Sequence, residues 1–352
     1  MALQAPAMPL KGLHFRGLAA ILEDIPLTLA PSEKLVTIIG GGGFVGRNLV
    51  RSLAKRGYRI RVACRRPDLA GHVLPLGTPG QIALVQANVR FPASLAAACD
   101  GAFAVVNATG TDVSRGAQSF DAVLVFGAEA VAKAARAAGA QMLITVSGNG
   151  ADPEGTNTQA KAKGLSEQVA ARAFPGAIAV RPSVIFGPDD RFFNKTAAMT
   201  RFSPVLPLFG GGTTRIQPVF VGDVAEAMAT LIDRGEASGK TYELGGPVIA
   251  SMRQLMQFTL DTVQRRRLLL PIPWSVARIL GSIAGFLPKP PITADQVELL
   301  KTDNVVSAAA VAEGRDLRGL GITPRSFESI VPTYLFRFRK EGQFTVPSGT
   351  PK

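Results

Sequence analysis

Short apolar runs and amphipathic segments alternate along the first half of the chain. Residues 35–39 form a continuous, largely β-branched run, which is typical of a strand buried on both faces. Residues 44–56 repeat apolar side chains at helical spacing and end at Gly57, a residue type favoured just beyond the last turn of a helix. A second strand follows at residues 58–64. The pattern predicts a strand–helix–strand unit with a glycine-rich turn after its first strand.

The alternation continues beyond this unit. Further strands are predicted at residues 82–86, 104–107, 142–147 and 177–181, and helices at residues 92–98 and 119–138. Strands that alternate with helices favour a parallel sheet with right-handed crossovers. We therefore predict an α/β fold with a doubly wound parallel Rossmann sheet.

The pattern becomes irregular after Pro182, where proline-rich segments break the alternation. We predict a smaller C-terminal lobe, interleaved with sheet elements that return near residues 217–221 and 241–244. The predicted organisation is an N-terminal extension (1–33), a Rossmann domain (34–182), the C-terminal lobe (183–345) and a tail (346–352).

Two segments bear on targeting. The most apolar stretch, residues 268–287, is interrupted by Arg278 and several prolines, whereas a membrane-spanning helix needs about 20 consecutive apolar residues. Residues 1–33 lack the charged start, apolar centre and cleavage site of a secretory signal. We therefore expect no transmembrane helix and a poorly ordered N-terminal extension, with a mitochondrial transit peptide as the alternative.

The composition excludes several classes of protein. The 352 residues are 47% hydrophobic, which excludes a disordered chain because enough apolar surface is available to offset chain entropy. Two cysteines and two histidines are too few for a disulfide framework or a metal cluster, so no metal site is predicted. The net charge is +13, but aromatic residues make up only 7% and no nucleic-acid-binding motif is present. We expect no nucleic acid partner.

Gly40, Gly43 and Gly46 form a GxxGxxG pattern between the first strand and the first helix. Glycine permits the tight turn, the close approach of a pyrophosphate to the backbone and the close packing of helix on strand. The amides of Phe44, Val45 and Gly46 open the helix, where unpaired N–H groups and the helix dipole attract phosphate. In this strand–turn–helix context the pattern predicts a dinucleotide-binding site rather than a glycine turn without a ligand.

The residues after the second strand bear on which dinucleotide binds. Sites for NAD usually place an Asp or Glu about 20 residues beyond the glycine turn, where it binds the ribose hydroxyls. Here Arg65 and Arg66 occupy this region, and no acid occurs before Asp68. Arginine suits a 2′-phosphate, so NADPH is the predicted cofactor, with solvated surface charge as the alternative interpretation of the two arginines.

Two more strand ends supply candidate cofactor contacts, because ligands in such folds bind at the carboxyl ends of the strands. Asn88 follows the third strand and is a candidate for the adenine edge, or else an ordinary turn residue. Asn107, Thr109 and Gly110 end the fourth strand and are predicted to lie beside the nicotinamide ribose.

These motifs resemble the extended and atypical short-chain dehydrogenase/reductase superfamily, of the NAD-dependent epimerase/dehydratase type. The resemblance implies a serine after the fifth strand and a Tyr-x-x-x-Lys pattern on the next helix, where the tyrosine exchanges a proton and the lysine lowers its pKa. Ser147 and Lys161 match the serine and the lysine, which places Asn157 at the tyrosine position. Counting from Lys163 instead places Gln159 there.

The tyrosine itself is missing. The chain has only three tyrosines, and none lies near this helix in the sequence: Tyr58, Tyr242 and Tyr334. Neither an asparagine nor a glutamine side chain has a proton to lose near neutrality. We therefore predict a degenerate catalytic remnant in which Ser147 and Lys161 still contact the cofactor.

Segments beyond the sheet carry a narrower resemblance, at residues 181–194, 217–224, 241–247, 290–305 and 319–324. Together they resemble the nucleotide-binding accessory subunits of respiratory complex I (NADH:ubiquinone oxidoreductase) and their alphaproteobacterial relatives. The resemblance implies that NADPH is held rather than turned over, that other complex I subunits are partners, and that the protein sits peripherally where the two arms of the complex meet. It places the chain on the cytoplasmic face of a bacterial inner membrane or, alternatively, on the matrix side of the mitochondrial inner membrane.

A basic cluster in the C-terminal lobe adds a second candidate partner. Arg265, Arg266 and Arg267 precede an apolar segment that ends at Trp274, and residues 275–286 predict a helix. Basic groups beside apolar surface attract anionic headgroups, with about 1 kcal/mol for each residue near the membrane. The segment is predicted either to contact a membrane surface or to form an amphipathic core helix beside a solvated arginine run.

The sequence thus supports three functional hypotheses. The first is a non-catalytic NADPH-binding accessory subunit of complex I. The second is an NADP-dependent reductase or epimerase that uses an atypical acid, for which Asp152 and Glu154 are candidates. The third is a redox sensor that reads bound NADPH and signals to a partner.

Overall fold

The computed structural model describes residues 30–111, 114, 116–235, 238–284 and 294–342. Most of the predicted N-terminal extension and the whole tail at 346–352 lie outside the described residues.

Thirteen strands are present in the described part of the chain. They are Leu35–Ile39 (β1), Arg59–Cys64 (β2), Ile82–Gln86 (β3), Ala104–Asn107 (β4), Met142–Val146 (β5), Ile178–Pro182 (β6), Ile185–Phe186 (β7), Val205–Phe209 (β8), Arg215–Ile216 (β9), Val219–Phe220 (β10), Thr241–Leu244 (β11), Ala250–Ser251 (β12) and Leu268–Ile272 (β13).

Twelve α-helices separate or follow these strands in the same described residues. They are Phe44–Lys55 (α1), Pro92–Cys99 (α2), Phe126–Ala137 (α3), Thr158–Ala173 (α4), Phe193–Phe202 (α5), Val221–Arg234 (α6), Met252–Thr262 (α7), Trp274–Ala284 (α8), Ala294–Leu299 (α9), Ala308–Ala312 (α10), Phe327–Ile330 (α11) and Pro332–Leu335 (α12). A π-helical segment at Asp121–Val125 leads directly into α3.

Seven parallel strands form the main sheet, in the order β11-β6-β5-β4-β1-β2-β3. The chain runs outward from β1 through β2 to β3, then crosses to the other side of β1 to form β4. This reversal leaves a crevice at the carboxyl ends of β1 and β4, where ligands bind in open α/β sheets. The predicted fold class, a doubly wound parallel sheet with an interleaved C-terminal lobe, is confirmed.

Helices cover both faces of this sheet. On one face α1 and α6 pack against each other and over Val36 and Ile38. On the other face α2, α3 and α4 pack in a row over Ile39 and Leu143. Because successive side chains of a strand point to opposite faces, a central strand covered on both sides has to be apolar throughout. This requirement explains the continuous apolar run of β1.

In its described residues, the C-terminal lobe is built from three two-stranded sheets and short helices. Strand β7 pairs with β10, β8 with β13, and β9 with β12. Of the two predicted returning elements, residues 241–244 join the main sheet as β11. Residues 217–221 do not join it. They contribute β10, which pairs only with β7, because β11 already occupies the sheet edge beside β6.

Helix α8 starts at Trp274, one residue before the predicted start, and residues 285–293 lie outside the described part of the chain. Among the described residues, none of the helices has the length and apolarity needed to cross a bilayer.

A buried carboxylate fastens the end of the lobe to the Rossmann half. Asp223, in the first turn of α6, is 1% exposed. Its carboxylate accepts hydrogen bonds from the backbone N–H and the Nε of Arg325, both at 2.7 Å. The Arg325 guanidinium also lies 4.5 Å from the centre of the Phe220 ring. One residue of the C-terminal segment is therefore held by its backbone, its charge and its planar face.

We expect Asp223→Ala to lower the free energy of unfolding by about 1–3 kcal/mol, because it removes a buried carboxylate that accepts two hydrogen bonds from Arg325. Asp223→Asn keeps an acceptor and should cost less. Urea unfolding measures both. Asp189→Ala, which removes a largely exposed ion pair with Arg47, is the matched control and should cost about 0–1 kcal/mol. Equal losses in Asp223→Ala and Asp189→Ala would contradict the anchoring role.

Candidate functional site

The glycine turn between β1 and α1 is closely packed. Gly40 has φ +82°, and a Cβ atom there would lie 2.9 Å from the carbonyl oxygen of Ala108. A Cβ atom on Gly46 would lie 2.5 Å from the Cα of Gly41. These two positions therefore require glycine for the fold itself. Gly43 differs: its φ of −77° suits any residue, and a Cβ atom would lie 3.2 Å from the nearest atom, the carbonyl oxygen of Gly40.

Gly43 is the N-cap of α1, so the next amides, from Phe44 onward, begin the helix at the carboxyl end of β1. The first amides of an α-helix have no acceptor within the helix, and the helix dipole gives this end a partial positive charge. The Phe44 ring packs over Gly187, in the loop before α5. Val45 packs against the core of the sheet and lines a cavity. The turn is thus shaped to receive an anionic group.

The ends of β4 and β5 and one face of α4 enclose a small cavity of about 200 Å³. Among its lining residues are Val45, Asn107, Thr109, Gly110, Thr145, Ser147, Gln159, Lys163 and Ser166. Asn107 Oδ1 accepts hydrogen bonds from the Thr109 hydroxyl at 2.6 Å and from the Thr109 backbone N–H at 3.2 Å. The structure therefore brings the predicted residues of the fourth strand together with those of the fifth strand and the following helix.

Two hydroxyl groups in the small cavity have no partner. Thr145 and Ser147 are 4% and 8% exposed, and neither hydroxyl oxygen has a hydrogen-bond partner among the described residues. A buried polar group left unpaired costs about 1–3 kcal/mol, so such groups are rare in native proteins. Both hydroxyls line the cavity, where a polar ligand would satisfy them. The site therefore fits a ligand with hydroxyl or amide groups.

Helix α4 presents Gln159, Lys163 and Ser166 to the small cavity. These residues are spaced four and three apart, which places them on one side of a helix. Lys161 lies two residues before Lys163, so it points to a different side of the helix, and it is exposed to solvent. The structure thus corrects the sequence prediction at this point: Lys163, not Lys161, reaches the cavity, and Gln159, not Asn157, lies one turn before it. The amide of Gln159 donates to the carbonyl oxygen of Thr111 at 3.4 Å.

Asn157 has a different task. It is the N-cap of α4, where its Oδ1 accepts from the backbone N–H of Ala160 at 2.8 Å. Its Nδ2 donates to the carbonyl oxygen of Asp295 at 2.7 Å, which ties α4 to α9. Asn157 is therefore a cap and a tether, and it borders a second, larger cavity rather than the small one.

Lys163 is the most unusual charge in the site. Burial lowers the pKa of its ammonium group, and the carboxylate of Glu167 opposes that effect. Arg181 already holds Glu167 through two hydrogen bonds of 2.6 and 2.9 Å. Among the described residues, the Lys163 ammonium group has no hydrogen-bond partner. Gly148 makes room for it, because a Cβ atom there would lie 2.5 Å from Lys163 Nζ.

The three tyrosines are all engaged elsewhere. The Tyr58 hydroxyl donates to Asp233 at 2.7 Å, and the Tyr334 hydroxyl donates to the buried Asp190. Burial is the largest cause that raises the pKa of each phenol. Tyr242 is buried in the sheet core on β11. None of the three lines the small cavity, so the described structure offers no phenol to replace Gln159.

The alternative acids Asp152 and Glu154 are exposed residues of the loop before α4. Asp152 Oδ1 accepts from the backbone N–H of Glu154 at 3.0 Å, which shapes this loop. Both residues border the large cavity and neither lines the small one.

The arginines after β2 have unequal surroundings. Arg66 is exposed and forms a two-pronged ion pair with Asp68, with distances of 2.7 and 2.9 Å. Hydrogen bonds from Arg66 hold the pKa of the Asp68 carboxyl below its usual range. Arg65 is also exposed and has no ion pair among the described residues. Asn88 closes its own turn, since its Oδ1 accepts from the backbone N–H of Arg90 at 3.1 Å. Of the two arginines, Arg65 is the one open to a ligand.

The basic cluster in the C-terminal lobe is only partly open to solvent. Arg265 Nε donates to the carbonyl oxygen of Phe338 at 3.1 Å, and Arg267 Nε donates to that of Thr200 at 2.9 Å. Trp274 packs so closely over Gly210 that a Cβ atom there would lie 1.9 Å from the indole. Two arginines and the tryptophan are therefore bound into the lobe, whereas Arg266 is exposed.

The lowered pKa of Lys163 predicts how stability depends on pH in the ligand-free protein. Between the folded pKa and the ordinary value of 10.5, the unfolded chain binds more protons, so stability rises with pH. Lys163→Met removes this cost. We expect the variant to be more stable than the wild type at pH 7, with the difference shrinking as the pH approaches 10.5. Urea unfolding at several pH values measures it. Lys161→Met is the control, and a pH-independent difference for Lys163→Met would contradict the burial of the charge.

Comparisons with known proteins agree with the fold and with the position of the glycine turn. The NAD dependent epimerase/dehydratase family matches residues 36–245. The Arabidopsis thaliana protein named NADH dehydrogenase (ubiquinone) 1 alpha subcomplex subunit 9, mitochondrial, is 32% identical over 320 residues, or 88% of this chain and 79% of that protein. The ceramide reductase of Caulobacter vibrioides is 35% identical over 191 residues, or 54% of this chain and 58% of the reductase.

Among solved structures, a dTDP-glucose 4,6-dehydratase from Streptomyces venezuelae with NAD and TYD bound superposes with a TM-score of 0.66. The two chains are 18% identical, and the match covers 88% of this chain and 98% of that one, which shows the shared fold. The chain therefore belongs to the NAD dependent epimerase/dehydratase family, and the Arabidopsis subunit 9 protein is a homologue that matches most of its length.

Proposed function

We propose that this chain is a non-catalytic accessory subunit of respiratory complex I that holds NADPH and stabilises the junction of the peripheral and membrane arms. The observation that carries the proposal is that Lys163 and Gln159, four residues apart on α4, both line the small cavity. Lys163 matches the lysine that the family's Tyr-x-x-x-Lys pattern places beside the cofactor. Gln159 stands where that pattern has the tyrosine that exchanges a proton. The similarity to the subunit 9 protein over most of both chains supports the assembly partner.

The residues present fit a nicotinamide dinucleotide. The first amides of α1 would bind the pyrophosphate, and the hydroxyls of Thr145 and Ser147, which have no partner among the described residues, would pair with polar groups of the nicotinamide half. The Lys163 ammonium group has three donors and would bind ribose hydroxyls. When bound, the nicotinamide ring supplies the capacity for hydride transfer. The chain's own residues bind and orient it.

Turnover needs a proton donor or acceptor beside the nicotinamide, and Gln159 cannot serve because an amide does not titrate near neutrality. The amide of Gln159 is instead used to hold the loop at Thr111. A site that binds a cofactor without completing a proton transfer is what a structural cofactor requires.

A second candidate function is a reductase in which Lys163 is the acid. The observation that favours it is the lowered pKa of a lysine at the junction of the two cavities, since a catalytic acid works best when its pKa is near the operating pH. The Caulobacter relative is named as a reductase and supports it. Consumption of NADPH by the purified chain with a carbonyl substrate, abolished in Lys163→Met, would favour this function over the first.

We propose a peripheral position, on the cytoplasmic face of a bacterial membrane or the matrix face of a mitochondrial one. In the C-terminal lobe Arg266 alternates along one extended segment with Leu268 and Leu270, which are 62% and 47% exposed. Phe202, at the end of α5, is 88% exposed. A cation beside exposed apolar side chains suits an anionic bilayer surface. These residues replace Arg265, Arg267 and Trp274 as the proposed membrane contacts.

The choice of NADPH over NADH has its own test at Arg65. A hydrogen bond to a charged group contributes about 1.5–3 kcal/mol, so we expect Arg65→Ala to weaken NADPH binding about tenfold or more. NADH binding should change little, because it lacks the 2′-phosphate. Arg66→Ala is the matched control, since Asp68 already holds that side chain. Calorimetric titration measures both cofactors, and equal losses for NADPH and NADH would contradict a 2′-phosphate contact.

The assembly itself is tested by affinity purification of the tagged chain from native membranes. We expect mass spectrometry to find complex I subunits and bound NADPH, each in an amount about equal to that of the chain. Gly43→Val should lose most of the NADPH and reduce the assembled complex, because its side chain fills the space before the first amides of α1 while φ at this position tolerates it. Lys161→Met is the control. Recovery without complex I subunits, or full NADPH retention in Gly43→Val, would contradict the proposal.

A further inference from the structure

A second cavity, much larger than the first, lies between the loop before α4 and the C-terminal lobe. Its volume is about 1600 Å³. Pockets for small ligands usually measure about 300–1000 Å³, so this space exceeds what a compact metabolite needs. Lys163 lines both cavities and so stands at their junction. A molecule in the large cavity would reach the reacting end of a dinucleotide bound in the small one.

The far wall of the large cavity is apolar. Met199 comes from α5, Phe209 from β8, Met252 and Met256 from α7, and Ile272 from β13. Methionine side chains are flexible and polarisable, and they adapt to apolar ligands of irregular shape. A sugar hydroxyl placed against these five side chains would find no hydrogen-bond partner in them, which is costly in a buried site. The wall therefore selects for hydrocarbon.

The opposite end of the cavity is polar and unsatisfied. Both polar atoms of the Asn149 side chain are buried with no hydrogen-bond partner among the described residues, and so is Asn304 Oδ1. Both asparagines line the large cavity, as does Lys163. Unpaired amide groups of this kind require a polar partner. The cavity thus has an unsatisfied polar end near the junction and one apolar wall, and charged side chains, among them Asp190, Lys195 and Glu298, line other parts of it.

An apolar track connects the cavity to the protein surface. Strands β8 and β13 pair in parallel, with Pro207 opposite Leu270 and Phe209 opposite Ile272. Pro207, Phe209 and Ile272 line the cavity. Leu270 lies two residues before Ile272, and alternate residues of a strand share a face. The face that lines the cavity therefore continues to the exposed Leu270.

We propose that the large cavity binds a lipid: a polar head at Asn149 and Asn304, beside Lys163, and a hydrocarbon chain that runs along β8 and β13 toward the surface. The track ends at the surface proposed above to face the membrane, which is a source of such molecules. The inference goes beyond the proposed function, because it concerns a different cavity and holds whether or not the bound dinucleotide turns over.

The experiment uses the full chain with its bound nucleotide and the fluorescent 18-carbon fatty acid cis-parinaric acid as the probe. We expect saturable binding with one probe per chain. Met256→Trp and Met199→Trp fill the apolar part of the cavity and should each weaken binding at least tenfold. Leu74→Trp, on an exposed side chain of the Rossmann half, is the matched control and should bind as the wild type does.

Two results would overturn the proposal: binding that does not saturate, or unchanged affinity in both cavity-filling variants when their circular dichroism shows them folded. If either variant fails to fold, displacement of the probe from the wild type decides. Palmitate should displace it at concentrations at least tenfold lower than octanoate, and equal potency would also overturn the proposal. The nucleotide content of each sample is measured separately, so a failure of lipid binding is distinguishable from a failure of the dinucleotide site.

Discussion

The burial of the Lys163 ammonium group at the junction of two cavities is the constraint on which the rest of the site depends. Partial burial lowers the pKa of this group, which has no hydrogen-bond partner among the described residues. Its position follows from the rotational phase of α4. The Asn157 cap fixes where that helix begins. Gly164 fixes how closely the preceding loop packs on it, since a Cβ atom there would lie 2.3 Å from the nitrogen of Pro153. The fold thus places a charge beside both cavities, where a bound ligand would supply the partner that the described residues do not.

The Rossmann half could be predicted because its determinants are local. Strand β1 has the predicted bounds, and α1 ends one residue before the predicted helix, since a buried strand and an amphipathic helix each impose a period that short segments display. The sequence does not show which side of α4 faces the small cavity. Lys161 and Lys163 each have a polar residue four positions earlier, so spacing alone favoured neither. The identity of Asn157 does favour one alternative. Asparagine is a preferred N-cap, and an N-cap side chain bonds to the first turn of its own helix, so Asn157 is not expected to face the small cavity.

The large cavity could not be predicted because it depends on contacts between distant parts of the chain. Its apolar wall combines α5, α7, β8 and β13, and its polar end combines Asn149 with Asn304. In the sequence, the methionines of the wall cannot be distinguished from core residues, and the two asparagines look like ordinary loop residues. The surroundings of Arg265 and Arg267 could not be predicted for a similar reason, because their partners are distant in the sequence. Charge patterning predicted three cations open either to a membrane surface or to solvent, whereas carbonyl groups from Thr200 and Phe338 accept hydrogen bonds from two of them.

The unsatisfied groups of both cavities bear on why a chain whose described residues place no tyrosine in the small cavity would keep a cofactor. In a catalytic site, polar groups that have no partner in the free protein form their hydrogen bonds in the transition state and stabilise it. Here Thr145, Ser147 and Lys163 destabilise the ligand-free protein instead, and a ligand that binds only the folded chain reverses that loss. A ligand at 100 times its Kd adds about 2.7 kcal/mol to the free energy of unfolding, a large share of the 5–15 kcal/mol typical of a domain. A bound dinucleotide can therefore be selected for the stability it contributes to an assembly, without any turnover.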